Sequence, residues 1–272
     1  MKTVSDPVAL HREMRQRQAA GERIGFVPTM GFLHAGHRSL MALARPLCDH
    51  LVVSIYVNPL QFGPGEDLDT YPSDPEGDAN ACEAEGVDTI FMPPDLYDKD
   101  HCTTVAVSGL TQRLCGASRP GHFDGVTTVV ARLFGLVQPH TAVFGEKDYQ
   151  QLAVIRRMVR DLSMAVEVVG GPLIRDHDGL ALSSRNAYLS PEDRTRALSL
   201  HRALQAMVDS TEESAQERVA RGRGLLQADE VDYLELVDAE TLEPLTCVDR
   251  PARALVAARI GGTRLIDNMA VI

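Results

Sequence analysis

Pro28-Thr29-Met30-Gly31-Phe32-Leu33-His34-Ala35-Gly36-His37 decides how this chain is read. An apolar run at residues 24–27 leads into it, and a helix-like run at 38–44 follows. Two histidines and two glycines therefore fall where a strand turns into a helix. Such a turn aims unpaired backbone N–H groups and the positive end of a helix dipole at one point. A phosphate fits there. The glycines let a bulky anion approach the backbone. The histidines add donors that can follow charge as it shifts in phosphoryl or adenylyl transfer. One His beside a Gly reads as a structural histidine, whereas His-x-Gly-His at this junction points to a phosphate-handling turn.

The composition sets bounds around this motif. With 272 residues, the chain holds one large domain or two modest ones. Its 44% hydrophobic and 24% charged content is that of a globular protein with a real core. The net charge of -11 argues against non-specific binding to nucleic acid or an anionic membrane. Cys48, Cys82, Cys102, Cys115 and Cys247 contain no C-x-x-C pair. The expectation is a reduced, cytoplasmic protein without a cysteine metal site. Residues 1–6 lack the apolar core of a signal peptide, and no apolar run reaches the length of a membrane span.

Outward from the motif, apolar runs alternate with amphipathic stretches. Strands are predicted at 24–27, 51–57, 89–92, 141–144 and 165–169, with helices at 8–20, 38–44, 78–85, 126–137 and 149–162. The strands are short, rich in Val and Ile, and mostly not alternating, so both faces are expected to be covered. This pattern gives an α/β fold with a Rossmann-like, doubly wound parallel sheet. Ligands then bind beyond the carboxyl ends of the strands, where strand order reverses. Segments 28–37, 58–65 and 145–151 all follow strands. Composition changes near Gly170-Gly171-Pro172, dividing the chain into domains at 1–172 and 173–272. Helices at 191–209 and 212–227 precede strands at 232–237, 254–260 and 263–266, with a Gly261-Gly262 hairpin. The second part reads as a smaller α+β domain with antiparallel strands.

Three further segments carry chemistry. Gly145-Glu146-Lys147-Asp148-Tyr149-Gln150-Gln151 follows a strand and opens a helix. Lys147 can reach phosphate oxygens as a point charge, Asp148 suits a helix cap or a ligand hydroxyl, and Gln151 lies one turn from Lys147. Leu182-Ser183-Ser184-Arg185-Asn186 places two hydroxyls and a guanidinium in a polar loop, which suits a mobile phosphate clamp. Asn58 and Gln61 offer amides among apolar neighbours, which suits a small polar ligand with a carbon body.

These motifs, in this order, resemble the class I adenylyl-transfer superfamily. Within it, Pro28-Thr29-Met30-Gly31-x-Leu33-His34-x-Gly36-His37, Tyr56-Val57-Asn58-Pro59-x-Gln61-Phe62, Phe144 to Gln151 and Ser183-Ser184-Arg185-Asn186 are similar to the pantothenate synthetase family. Arg119-Pro120-x-His122-Phe123 and Asp267-Asn268 fit the same pattern. The resemblance implies ATP-dependent condensation of pantoate with β-alanine through pantoyl adenylate, releasing pyrophosphate and AMP. It implies that His34 and His37 contact the ATP phosphates, with His37 as acid or charge stabiliser. Met30, Gly31, Gly145, Glu146, Lys147, Asp148 and Ile174 would line the nucleotide site. Leu182, Ser183, Ser184 and Arg185 would form the clamp. Gln61 and Gln151 would hold pantoate, with Asn58, Tyr71, Arg119 and His122 in support.

Two positions depart from the family pattern. Leu182 stands where many relatives carry Met. Glu76-Gly77-Asp78 stands where some carry paired acidic residues proposed to hold magnesium. Mg²⁺ is therefore expected mainly on the ATP phosphates, with no protein metal site. The resemblance further implies a homodimer, for which the strand at 51–57 or neighbouring helices could serve. A nucleotidylyltransferase would use the same histidines but would need a basic pocket for a phosphorylated acceptor. The length and acidic balance oppose a tRNA synthetase. The first turn lacks the G-x-G-x-x-G of a dehydrogenase. A nucleotide sensor would bind ATP without turnover.

Overall fold

The computed structural model describes residues 1–211 and 214–271. Its first sheet contains β1 (Lys2–Val4), β2 (Ile24–Thr29), β3 (His50–Ile55), β4 (Thr89–Phe91), β5 (Thr141–Gly145) and β6 (Glu167–Gly171). All neighbours are parallel, and the order is β1-β4-β3-β2-β5-β6. The helices around it are α1 (Pro7–Ala19), α2 (Ala35–Ala44), α3 (Pro75–Ala84), the single turn α4 (Cys115–Ser118), α5 (His122–Val137) and α6 (Tyr149–Asp161).

The strands lack alternation because both faces are covered. Neighbouring residues on one strand enter opposite cores. Phe26 and Val52 pack with Leu10, Met14, Val130 and Ile155 from α1, α5 and α6. Val27 and Val53 pack with Leu40, Met41 and Cys82 from α2 and α3. Period-two geometry makes a buried parallel strand apolar at every position.

Strand order reverses between β2 and β5. From β2 the chain steps outward to β3 and β4, and β5 then returns to the other side of β2. The connections leaving β2 and β5 diverge and leave a crevice beyond their carboxyl ends. The histidine motif and the Lys147 turn both emerge there.

The rest of the chain forms α7 (Pro191–Val208), α8 (Ala215–Arg223) and an antiparallel sheet of β7 (Glu230–Asp238), β8 (Ala252–Ile260) and β9 (Thr263–Val271). One face of this sheet packs on α7 and α8 through Leu234, Val256, Leu200 and Leu204. Val237, Leu242 and Leu255 belong instead to the core that holds α5 and α6.

The predicted strands and helices are present, with shifted ends. β1 was not predicted, since three residues give little pattern. α2 begins at Ala35 rather than 38, because His34 is its cap. α5 begins at His122 rather than 126. β6 takes in Gly170 and Gly171, which pair with Phe144 and Gly145. β9 runs to Val271 and so takes in Asp267 and Asn268. The predicted helix at 212–227 is seen as Ala215–Arg223, while Glu212 and Glu213 lie outside the described residues. Strand β3 cannot serve as a dimer edge, because both its sides are paired, to β2 and to β4.

Phe26 is fully buried in β2 and meets Phe134 edge-on with ring centroids 6.4 Å apart. Phe26→Ala is expected to cost about 3–5 kcal/mol in urea unfolding, without moving the site residues above it.

Candidate active site

The turn after β2 is held from behind by a buried carboxylate. Asp78 of α3 is 3% exposed and accepts from Phe32 N at 3.0 Å and Leu33 N at 2.6 Å. Gly31 has φ 85°, and an added Cβ would lie 2.9 Å from Asp78 Oδ2. Phe32 follows at φ 52°. Gly31 is thus needed for the backbone to turn over Asp78, and it does not line the cleft. Gly36 lines the cleft and also leaves room for the His34 ring, since an added Cβ would lie 2.9 Å from His34 Cε1.

His34 and His37 cap α2 reciprocally. His34 Nδ1 accepts from Gly36 N at 3.1 Å, and His37 Nδ1 accepts from His34 N at 3.3 Å. The ring centroids are 4.1 Å apart. An Nδ1 that accepts assigns the proton of a neutral ring to Nε2. Each ring therefore keeps Nε2–H as the donor available to a ligand. Burial, with Lys147 adding, holds His34 down at about 4. Burial, then His34 and Lys147, holds His37 at about 3. Both rings are neutral at pH 7. A neutral His37 faces the cleft as a hydrogen-bond donor through Nε2–H.

The turn after β5 supplies the cation. Residues Glu146–Asp148 form one 3₁₀ turn leading into α6. Lys147 Nζ lies 3.8 Å from Asp148 Oδ2. Gly145, Lys147, Asp148 and Gln151 line the cleft with both histidines. Glu146 does not, because its carboxylate is turned to Arg253 at 3.0 Å. Gln150 is absorbed by the fold: its amide accepts from Cys115 N and donates to Leu110 O and Arg113 O.

The facing wall is the Ser-Ser-Arg segment. Ser184 Oγ donates to Phe32 O at 3.4 Å, so the two walls touch. Ser183 caps its own short turn by accepting from Arg185 N. Ile174, Leu182, Ser183, Ser184 and Arg185 all line the same cleft, as do Met30 and Tyr71. The cleft holds about 1410 Å³, counting its open mouth. Val126, Val129, Val130 and Leu133 of α5 supply an apolar wall.

Two arginines of the cleft are already paired. Arg185 forks onto Asp67 through Nε at 2.9 Å and Nη2 at 2.7 Å, above the Tyr71 ring. Arg119 forks onto Glu66 through Nε and Nη2, each at 2.6 Å. Burial pushes the Glu66 carboxyl up, but Arg119 outweighs it and holds Glu66 at about 2. Arg119 Nη1 also donates to His122 Nε2 at 2.9 Å, so His122 Nδ1–H donates to Gln61 O at 2.8 Å.

Gln61 is aimed by these neighbours. Its Oε1 accepts from Asn58 Nδ2 at 3.1 Å, which leaves Nε2 facing Met30 Sδ and the cleft. Asn58 is 1% exposed, and its amide is engaged by Gln61, Gly125 O and Tyr97 Oη. In this structure, Asn58, Arg119 and His122 position Gln61 while lining the cleft themselves.

The family model described as Pantoate-beta-alanine ligase matches residues 2–270. The chain belongs to that family. A pantothenate synthetase of Geobacter sulfurreducens is 52% identical, with 98% of this chain and 96% of the relative covered. One from Desulfatibacillum aliphaticivorans is 49% identical, with 98% of each covered. The solved pantothenate synthetase of Thermus thermophilus superposes with a TM-score of 0.94 at 51% identity, covering 100% of this chain and 99% of that one. A pantoate-beta-alanine ligase of Francisella tularensis, solved with a β,γ-ATP compound and β-alanine, gives 0.83 at 32% identity, with 99% and 97% covered.

At Glu76-Gly77-Asp78, the position that departs from the family pattern, the two carboxylates have different surroundings. Asp78 is turned onto the backbone and Glu76 is exposed. Among the described residues, no three His, Cys, Asp or Glu side chains gather as a metal cage. Sequence reading missed Glu66, Asp67 and Asp78 as supports of the site. Glu66 and Asp67 directly follow the motif that was read, and their acidity was the available signal. Asp78 carries no local sign of its partners.

Unfolded histidines titrate near 6.5. Stability contributed by the neutral His34 and His37 rings is complete above that pH and is lost as the pH falls through about 4 for His34 and about 3 for His37. Nitrogen-15 NMR of histidine-labelled protein is expected to show both rings as neutral Nε2–H tautomers at pH 7. Midpoints near 6.5 would contradict the assignment.

Proposed function

We propose that this chain joins pantoate to β-alanine in two steps within one cleft. The pantoate carboxylate oxygen attacks the α-phosphorus of ATP, and the bond to pyrophosphate breaks. The β-alanine amine then attacks the acyl carbon, the bond to AMP breaks, and the nitrogen loses a proton. The observation that carries this reading is the convergence of neutral His34 and His37, the Lys147 turn and the Ser-Ser-Arg segment at the strand-order reversal.

Each side chain has a physical task. A carboxylate approaching a triphosphate meets like-charge repulsion, so donors and cations must take up phosphate charge. The two Nε2–H groups and Lys147 do this from one wall. Ser183, Ser184 and Arg185 do it from the other, once a phosphate replaces Asp67 on Arg185. Gln61 Nε2 and Gln151 hold the pantoate oxygens, and the α5 residues cover its methyl groups. Met30, Gly145, Asp148 and Ile174 shape the nucleotide pocket, with Leu182 and Tyr71 at the mouth. We assign ATP and pantoate binding to residues 1–172 and the lid to residues 173–272. Mg²⁺ arrives on the ATP phosphates. The cytoplasmic setting rests on the cysteine pattern of the sequence, and the homodimer on the resemblance. No helix among the described residues is long and apolar enough to cross a membrane.

His37→Ala is expected to leave the fold intact and lower pantoate-dependent ATP–pyrophosphate exchange by at least ~100-fold. Exchange at the wild-type rate would remove the histidine from the mechanism. Gln151→Ala is expected to raise the KM for pantoate more than that for ATP, and equal increases would count against its assignment.

A further inference from the structure

The Lys147 turn does not hold itself in place. Gly145 and Asp148, which flank it, make no capping hydrogen bond through a side chain. Its carbonyls are held from β9. Asn268, 3% exposed, donates Nδ2 to Glu146 O and to Lys147 O, each at 2.9 Å. A primary amide carries two such protons, so these two carbonyls use both. Asn268 Oδ1 accepts from Arg253 Nε at 2.7 Å, which fixes which way the amide faces. Arg253 also reaches Glu146 Oε2 at 3.0 Å and lies 4.2 Å over the Tyr149 ring. The turn is thus gripped at two consecutive carbonyls, one carboxylate and the following aromatic ring.

The neighbouring residue holds the opposite wall. Asp267, also 3% exposed, takes both arms of Arg175 at 2.7 and 2.9 Å and accepts from Asn268 N at 2.7 Å. Arg175 also donates to Gly179 O at 3.1 Å, within the stretch that leads to Ser183. Two adjacent residues of β9 therefore hold the roots of both walls.

We propose that Asn268 is a positioning residue for adenylate formation, acting through Lys147. It fixes the Lys147 backbone from β9 so that the ammonium meets the phosphates. The inference rests on the reading of Lys147 as a phosphate ligand. A misplacement of about 1 Å in a reacting group can cost roughly 100-fold in rate.

The test is pantoate-dependent ATP–pyrophosphate exchange with the full chain, comparing Asn268→Ala, Lys147→Ala and the double variant. Asn268→Ala is expected to lower kcat roughly 10- to 100-fold and leave the KM for pantoate unchanged. The double variant should be no slower than Lys147→Ala, because a displaced lysine and a missing one fail alike. Should Asn268→Ala not fold, Arg253→Lys disturbs the same amide and is expected to show the same non-additivity. Losses that multiply in the double variant would overturn the proposal, as would wild-type kcat in both Asn268→Ala and Arg253→Lys. Wild-type exchange in Lys147→Ala would instead refute the reading of the lysine, and the proposal with it.

Discussion

The reciprocal cap at the start of α2 is the constraint on which the site depends. Helix starts leave N–H groups unpaired. Here two imidazoles accept from those groups through Nδ1. The same bonds that begin the helix fix each ring's tautomer and leave Nε2–H for a ligand. Burial is the largest cause holding both rings below the usual imidazole range, with Lys147 adding to it. Asp78 fixes the backbone just before the cap, and Gly36 leaves room for the His34 ring. Fold and chemistry share one set of hydrogen bonds.

The cleft handles anions in an acidic protein by keeping its cations occupied. Arg119 and Arg185 are forked onto Glu66 and Asp67, adjacent residues of one connection. Such pairs avoid unpartnered charge while no substrate is bound. An anion that takes Arg185 has to replace Asp67 there. Gln61 shows the same economy, since Asn58 and His122 hold its oxygens and leave its nitrogen facing Met30 Sδ and the cleft.

Much of the fold was legible because parallel strands covered on both faces are plain apolar runs. The strand-order reversal followed from where the motifs fell. Helix starts were less legible, because His34 and Gly121 are the caps of α2 and α5, outside the usual Ser, Thr, Asp and Asn signals. Residue type showed which side chains could touch a ligand, and nearly all of the candidates do line the cleft. Residue type did not show which were already engaged. Asn58 and Arg119 have substrate-binding chemistry, yet their partners Gly125 and Glu66 are distant in sequence. Asp78 and Asn268 act on backbone groups far along the chain, and nothing local marks those contacts.

At the centre of the account, one carboxylate oxygen meets one α-phosphorus between the histidine wall and the arginine wall. Turnover of pantoate labelled with oxygen-18 in its carboxylate tests this most directly. Attack by the carboxylate places one labelled oxygen in the phosphate of AMP and none in pyrophosphate. Label in pyrophosphate, or AMP free of label, would contradict it.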